Sequence, residues 1–253
     1  MLERFIPAAA SYSGDVDQLV WLITFLVGFW FIAAEVMFFW LIFRFRKKDG
    51  VKAQYITGKE KHLKQWINIP HGLVLLFDVF IIIAAIRVWV HIKQTLPPAD
   101  RTVRVTSQQW AWTFQDPGAD DSLDTADDVF TTDELHLENN KTYHFRLESK
   151  DVLHSFFIPA FRMKQDAVPG RIYTGWFKPT RLGDYDILCA EICGIGHGVM
   201  GAKLVVETAE QRAEWLAAHA PAVDETATDD TATDAASTDA TSSDSTSAAA
   251  GQQ

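Results

Sequence analysis

Two long apolar runs near the N-terminus limit what this chain can fold into. Val20 to Phe43 is almost unbroken in its apolarity, with Glu35 as the exception. A second run, about Ile69 to Ile92, is similar but carries Asp78 and Arg87. Each matches the roughly 20 residues that a helix needs to span a bilayer. Trp21, Trp40, Trp66 and Trp89 sit near the ends of the runs, where interfacial aromatics collect. The first run is too long for a plain signal peptide, lacks a basic leader, and is stopped by Arg44-Phe-Arg46-Lys47-Lys48. The pattern predicts a transmembrane two-helix hairpin within residues 1–100.

The connection between the runs is basic. Arg44, Arg46, Lys47, Lys48, Lys52, Lys59, Lys61 and Lys64 face only Asp49 and Glu60, whereas Arg4 is the lone basic residue before the first run. The positive-inside rule makes that loop cytoplasmic and puts both termini outside, which in a bacterium is the periplasmic side of the cell membrane. Carboxyls within a span are costly unless they face protein or water. Glu35 and Asp78 therefore belong to a proton path, to a contact with a partner helix, or are hydrogen-bonded interhelical carboxyls in protonated form. Such a hairpin is a poor unit alone and is expected to dock on a larger integral partner.

From about Arg101 the pattern changes to short runs that alternate at period two. Thr102–Thr106, Trp110–Phe114, Tyr143–Leu147, Ile172–Phe177, Tyr185–Leu188 and Ala202–Val206 are separated by turn signals such as Asp116-Pro-Gly118 and Val168-Pro-Gly170. This predicts a small antiparallel β-sandwich or barrel over 101–220. A short helix should close it, because Thr208-Ala-Glu-Gln211 has the form of a capping box. Residues 221–253 collapse to Ala, Thr, Ser and Asp, which predicts a disordered, solvated acidic tail. The net charge of −10 and the acidic stretch Asp116–Glu134 point away from nucleic acid.

The chain has only two cysteines, and both lie in Cys189-Ala-Glu191-Ile-Cys193-Gly-Ile-Gly-His197-Gly-Val-Met200. Thiolate, imidazole and thioether suit copper better than a hard cation. Structural zinc uses paired Cys/His modules and has no use for a methionine. One blue-copper ion needs a single cysteine. Two bridging thiolates suit two copper ions held close together, and the second imidazole must come from elsewhere in the fold. His154, just before an apolar strand-like run, is the best candidate. The competing reading is a Cys189–Cys193 disulfide with His197 and Met200 incidental. The company of His154, His197 and Met200 weighs against it. His62, His71, His91, His136, His144 and His219 have no such neighbours and read as surface or core histidines.

These motifs, together with Val152-Leu-His154-Ser155, Asp166-Ala-Val-Pro-Gly-Arg171 and Gln109-Trp110-Ala-Trp112, closely resemble cytochrome c oxidase subunit II over residues 17–217. The resemblance implies two transmembrane helices followed by a cupredoxin-like β domain. It implies a dinuclear copper centre, CuA, held by the side chains of His154, Cys189, Cys193, His197 and Met200 and by the backbone carbonyl of Glu191. In the family that Glu191 carboxylate also reaches a magnesium ion at the interface with subunit I. Trp110 matches the aromatic group where electrons enter from cytochrome c, and Asp166 matches an acid that contacts that carrier. The implied function is a relay in a proton-translocating terminal respiratory oxidase. Haem–copper chemistry on O2 would reside in subunit I, with other oxidase subunits and an external cytochrome c as partners.

There are departures from the family pattern. Ala111 stands where many members have Tyr. Leu63 stands where many carry a Glu at the mouth of a proton path, leaving Glu60 or His62 as substitutes or a path that starts elsewhere. No Cys-x-x-Cys-His is present for a fused haem. The alternatives are a copper subunit of a related nitric oxide reductase and, from a different class, a membrane-anchored copper carrier or assembly protein. A quinol oxidase subunit would lack the copper ligands, and nitrous oxide reductase would need a further catalytic domain.

Overall fold

The computed structural model describes residues 5–52 and 55–221. The acidic tail expected from the sequence lies outside the described residues from 222 onward, as does Arg4. Two helices, α1 (Ser13–Arg44) and α2 (Lys61–Trp89), form the hairpin, and α2 ends in a π-helical turn over Val90–Gln94. Both are long and apolar enough to cross a membrane. They extend beyond the apolar runs, because polar flanks such as Ser13–Asp17 and Lys61–Gln65 carry helix-compatible residues that need no burial. Phe25, Phe29, Phe31, Val36, Phe43 and many other large apolar side chains of the hairpin are exposed. A helix apolar on all sides finds its solvent in lipid or in a partner helix. Asp78 is exposed on that surface and Glu35 is half-buried.

The β domain contains β1 (Arg101–Gln108), β2 (Ala111–Asp116), β3 (Val129–Thr132), β4 (Glu134–Glu138) and β5 (Tyr143–Ser149). It continues with β6 (His154–Ile158), β7 (Met163–Ala167), β8 (Tyr173–Phe177), β9 (Gly183–Cys189) and β10 (Gly201–Glu207). Two five-stranded sheets, ordered β3-β2-β1-β5-β8 and β4-β10-β9-β6-β7, stack into the expected cupredoxin-like sandwich. Its core is aromatic: Trp112, Phe114, Phe145, Phe156, Phe161 and Phe177 are almost wholly buried. Phe145 stacks on Phe177 with centroids 5.5 Å apart, and Trp112 packs on Phe156 at 5.3 Å.

The all-antiparallel expectation needs correction. β1 pairs in parallel with β5, and β4 in parallel with β10. The short turns visible in the sequence bias the reading toward hairpins. Here β1 reaches β5 only after the chain has crossed to the other sheet and back. The sequence also missed β3, β4 and β7, all of them sheet edges, whereas the strand-like run after His154 is β6. β7, Met-Lys-Gln-Asp-Ala, has the polar outer face by which edges avoid further pairing.

After β10, α3 (Ala209–His219) begins at the expected capping box. The Thr208 side chain accepts from Gln211 N, and the Gln211 side chain accepts from Thr208 N. The segment before α1 is woven into the β domain. Ala9 N donates to Ala160 O at 2.9 Å and Thr180 N donates to Ala9 O at 2.8 Å. Tyr12 is fully buried, and its hydroxyl donates to Trp176 O at 3.2 Å. Arg162, just past β6, holds Asp17 of α1 at 2.7 Å. These contacts fix the sandwich at the end of the hairpin from which both helices join it.

Candidate metal centre

Cys189 ends β9, and Met200 immediately precedes β10. The antiparallel pairing of these strands brings the two ends of the loop together, closed by Cys189 N donating to Met200 O at 3.1 Å. His197 opens a single 3-10 turn within the loop. β6 lies beside β9, with Phe156 opposite Cys189, and Ala190 N donates to Ser155 O at 3.0 Å. His154, the first residue of β6 and two before Phe156, therefore arrives beside the loop although 35 residues separate it from Cys189.

The donor atoms converge. Cys189 Sγ lies 3.7 Å from Cys193 Sγ and 3.9 Å from His154 Nδ1. Cys193 Sγ lies 3.7 Å from His197 Nδ1 and 3.8 Å from Met200 Sδ. The backbone oxygen of Glu191 is 3.3 Å from Cys189 Sγ. Both cysteines are free, so they do not form the disulfide weighed from the sequence. His154, Cys193 and Met200 are buried and His197 is half-buried. Burial pushes the Cys193 thiol above its ordinary range, and the neighbouring Cys189 thiol pushes it further. Two thiols and an imidazole this close, with little water, form a pocket of soft donors suited to cationic copper.

The loop glycines have a steric reason. Gly194 sits at φ +119°, a conformation that side chains rarely adopt. A Cβ on Gly196 would stand 2.5 Å from the Trp110 ring. The indole lies flat against the loop, and its Nε1–H donates to Cys193 O at 3.2 Å. Trp110 is also 39% exposed, so one ring touches both the solvent and the backbone of a thiol donor. It belongs to the turn between β1 and β2, not to the strand expected to begin there.

Three residues near the cluster were given no role from the sequence. Asp151 Oδ1 lies 2.8 Å from His154 Nε2, while its Oδ2 accepts from Gln109 N at 2.7 Å. The i,i+3 spacing of Asp151 and His154 could have signalled the first contact. Gln109 Nε2 donates to Cys193 O at 2.7 Å, across 84 residues, and nothing local announces it. Lys164 bridges Glu191 Oε1 at 2.8 Å and Asp166 Oδ1 at 3.0 Å. The Glu191 carboxylate is thus already neutralised by an ammonium, which a magnesium ion would have to displace or share. Asp166 lies on edge strand β7, where Ser155 Oγ donates to it at 2.8 Å.

A β-sandwich on an apolar helical hairpin, with a Cys2His2Met cluster in one loop and one neighbouring strand, defines a class of membrane-anchored metal-centre proteins. The family model described as the periplasmic domain of cytochrome C oxidase subunit II matches residues 101–209. An alternative cytochrome c oxidase subunit 2 of Bradyrhizobium diazoefficiens is 32% identical over 232 residues, spanning 83% of this chain and 82% of the relative. A cytochrome c oxidase subunit 2 of Cereibacter sphaeroides is 26% identical over 243 residues, 84% and 78% of the two chains. A crystal structure of the periplasmic domain of cytochrome oxidase subunit II of Bradyrhizobium japonicum has 30% identity and a TM-score of 0.43, covering 49% of this chain and 96% of that one. The chain belongs to the cytochrome c oxidase subunit II family. It is therefore a subunit of an oxidoreductase, and this membership does not favour the nitric oxide reductase or copper-carrier readings.

Proposed function

We propose that this chain receives electrons from cytochrome c or a similar donor and relays them to a haem–copper catalytic subunit that reduces O2 to water. The resident cofactor on this reading is CuA, with His154, Cys189, Cys193, His197 and Met200 as side-chain ligands and the carbonyl of Glu191 completing the set. When bound, such a copper pair supplies one-electron redox chemistry with the change of charge spread over two metals. The residues of the chain do the rest. Cys189 and Cys193 would hold the copper pair as two thiolates, their sulfurs 3.7 Å apart. Asp151 holds the His154 ring by its far nitrogen, which leaves Nδ1 for the metal. The sandwich keeps water from His154, Cys193 and Met200.

The observation that carries this reading is the contact of Trp110 with Cys193. A half-exposed aromatic bonded to the backbone of a metal-directed thiol gives a docked donor a short covalent and hydrogen-bonded route inward. Asp166, half-exposed on the edge of β7, offers negative charge to a basic carrier. Ile192, Ile195 and Val199 of the same loop are strongly exposed and offer an apolar contact suited to the oxidase core. The hairpin would anchor the chain in a bacterial cell membrane by two spans, with the copper domain and both termini on the periplasmic side.

The test is the intact purified complex carrying Trp110→Phe, mixed with reduced cytochrome c in a stopped-flow instrument. Reduction of the copper centre should slow while copper content stays at the wild-type level. An unaltered rate at full copper content would remove Trp110 as the point where electrons enter.

A further inference from the structure

A second cleft lies away from the metal cluster, where the hairpin meets the sandwich. It has a volume of about 430 Å3 and is bounded by the end of α2, its π-helical turn, and strands β5, β7 and β8. Its wall includes Trp89, Tyr173 and Trp176 together with Lys93 and Gln165. The apolar stretch of α2 ends here and the polar chain toward β1 begins. On the reading of the hairpin as two membrane spans, this is the level of the lipid headgroups. Trp and Tyr are the residue types that collect at that level.

The charge and hydrogen bonding of the wall select the ligand. Among the described residues, Lys93 is the one charged side chain lining the cleft. Its ammonium donates to Lys164 O at 3.2 Å and to Gln165 Oε1 at 2.9 Å, which leaves one of its three N–H groups. Asp166, next to Gln165 on β7, attracts Lys93 through space but hydrogen-bonds Ser155 and Lys164 instead. The partial negative charge at the end of the helix is met locally, since Thr95 donates to Val90 O through N at 2.9 Å and through Oγ1 at 3.2 Å. Trp176 is 7% exposed with its indole nitrogen closed off from solvent, so it contributes apolar wall to the cleft. An ammonium with a free N–H, set in an aromatic wall at headgroup level, calls for an anionic acceptor carrying an apolar tail.

We propose that this cleft binds a phospholipid of the external leaflet, its phosphate held by Lys93 and its glycerol and upper acyl chains lying against Trp89, Tyr173 and the ring of Trp176. A neutral amphiphile such as a quinone offers acceptors but no charge to Lys93, whose carboxylate neighbour Asp166 is shared with Lys164. The lipid would wedge the hairpin against the sandwich beside the strap formed by Ala9 and Tyr12, whose Tyr12 ring packs on Trp176 with centroids 5.1 Å apart. It would thereby help to set the height of the metal loop above the membrane.

The test uses the full chain, purified in mild detergent and titrated with phosphatidylglycerol while native mass spectrometry counts bound lipid. Wild-type protein should hold one lipid more tightly than the rest. Lys93→Gln should weaken that lipid about tenfold, the loss of a hydrogen bond to a charged group. Lys203→Gln, which removes a lysine elsewhere on the sandwich, should leave it unchanged. A photoactivatable phosphatidylglycerol should label peptides containing Trp89–Leu96 and Tyr173–Trp176. Equal lipid affinity in wild type and Lys93→Gln would overturn the proposal. So would saturation of the site by inorganic phosphate with no preference for lipid, or a partner-subunit side chain filling the cleft in the intact complex. Circular dichroism of both variants separates a lost ligand from a lost fold.

Discussion

Replacing Asp151 with Asn asks how firmly the imidazole of His154 is held. One carboxylate here serves three donors. Oδ1 faces His154 Nε2 at 2.8 Å and accepts from Val152 N at 2.6 Å, while Oδ2 accepts from Gln109 N at 2.7 Å. Asn keeps one oxygen and turns an NH2 toward donors on the other side. Either Gln109 N–H or the pair on Val152 and His154 then loses its acceptor. His154 Nδ1 points to Cys189 Sγ, so the ring nitrogen that Asp151 holds is the one not directed at the metal. Loss of such an outer partner typically weakens a metal site about 10- to 100-fold, or about 1.4–2.7 kcal/mol. The lower half of that range fits here, because the Asp151 side chain is 26% exposed and water can replace part of the bonding. The assay is chelator competition on the full chain in detergent, with wild type and Asp151→Asn compared at one pH. Affinity should fall by about tenfold or more. If affinity is unchanged while the metal-free protein melts earlier, Asp151 supports only the loop and the reasoning about His154 is wrong.

Two further outcomes follow from the sandwich. Arg212 on α3 is 1% exposed, pairs with buried Asp116, and lies 4.7 Å over the Trp215 ring; Arg212→Met should destabilise the chain by about 3–5 kcal/mol. Thermal unfolding of the full chain checks this, and Asp116→Asn added to that variant should recover much of the loss. Asp124 is held at about 2 by hydrogen bonds from Arg104 and Gln115. A depressed carboxyl stabilises the fold above its unfolded pKa of about 3.9, and that contribution disappears as pH falls toward 2. The difference in melting temperature between wild type and Asp124→Asn should therefore shrink between pH 4 and pH 2, and a constant difference would contradict the assignment.

The hairpin was legible because its signal is compositional: Val20–Phe43 has few polar residues and needs no partner to be read. Helix α3 was legible because Thr208 and Gln211 act within one turn. The parallel pairing of β1 with β5 was not, because it depends on a chain that leaves one sheet, makes β4 in the other and returns. β7 was missed because Lys164, Gln165 and Asp166 carry no alternating apolar face, their strand being an edge. The metal cluster fell between these cases. Four of its side chains are local to one loop, and the fifth, His154, was reachable by asking what the loop lacked. The polar contacts around it were hidden, since Gln109 reaches Cys193 from the end of β1 in the other sheet and Lys164 reaches Glu191 from β7 through the pairing of β6 with β7 and β9. Trp110 was found through resemblance, but its lodging on Gly194 and Gly196 belongs to the folded loop alone.

Electron paramagnetic resonance of the full chain loaded with copper and oxidised tests the central claim most directly. The account expects a signal in which one unpaired electron is shared over two copper nuclei, lost when either Cys189 or Cys193 is replaced by Ser. The spectrum of a single isolated type 1 or type 2 copper, or a shared-electron signal that survives Cys193→Ser, would contradict it.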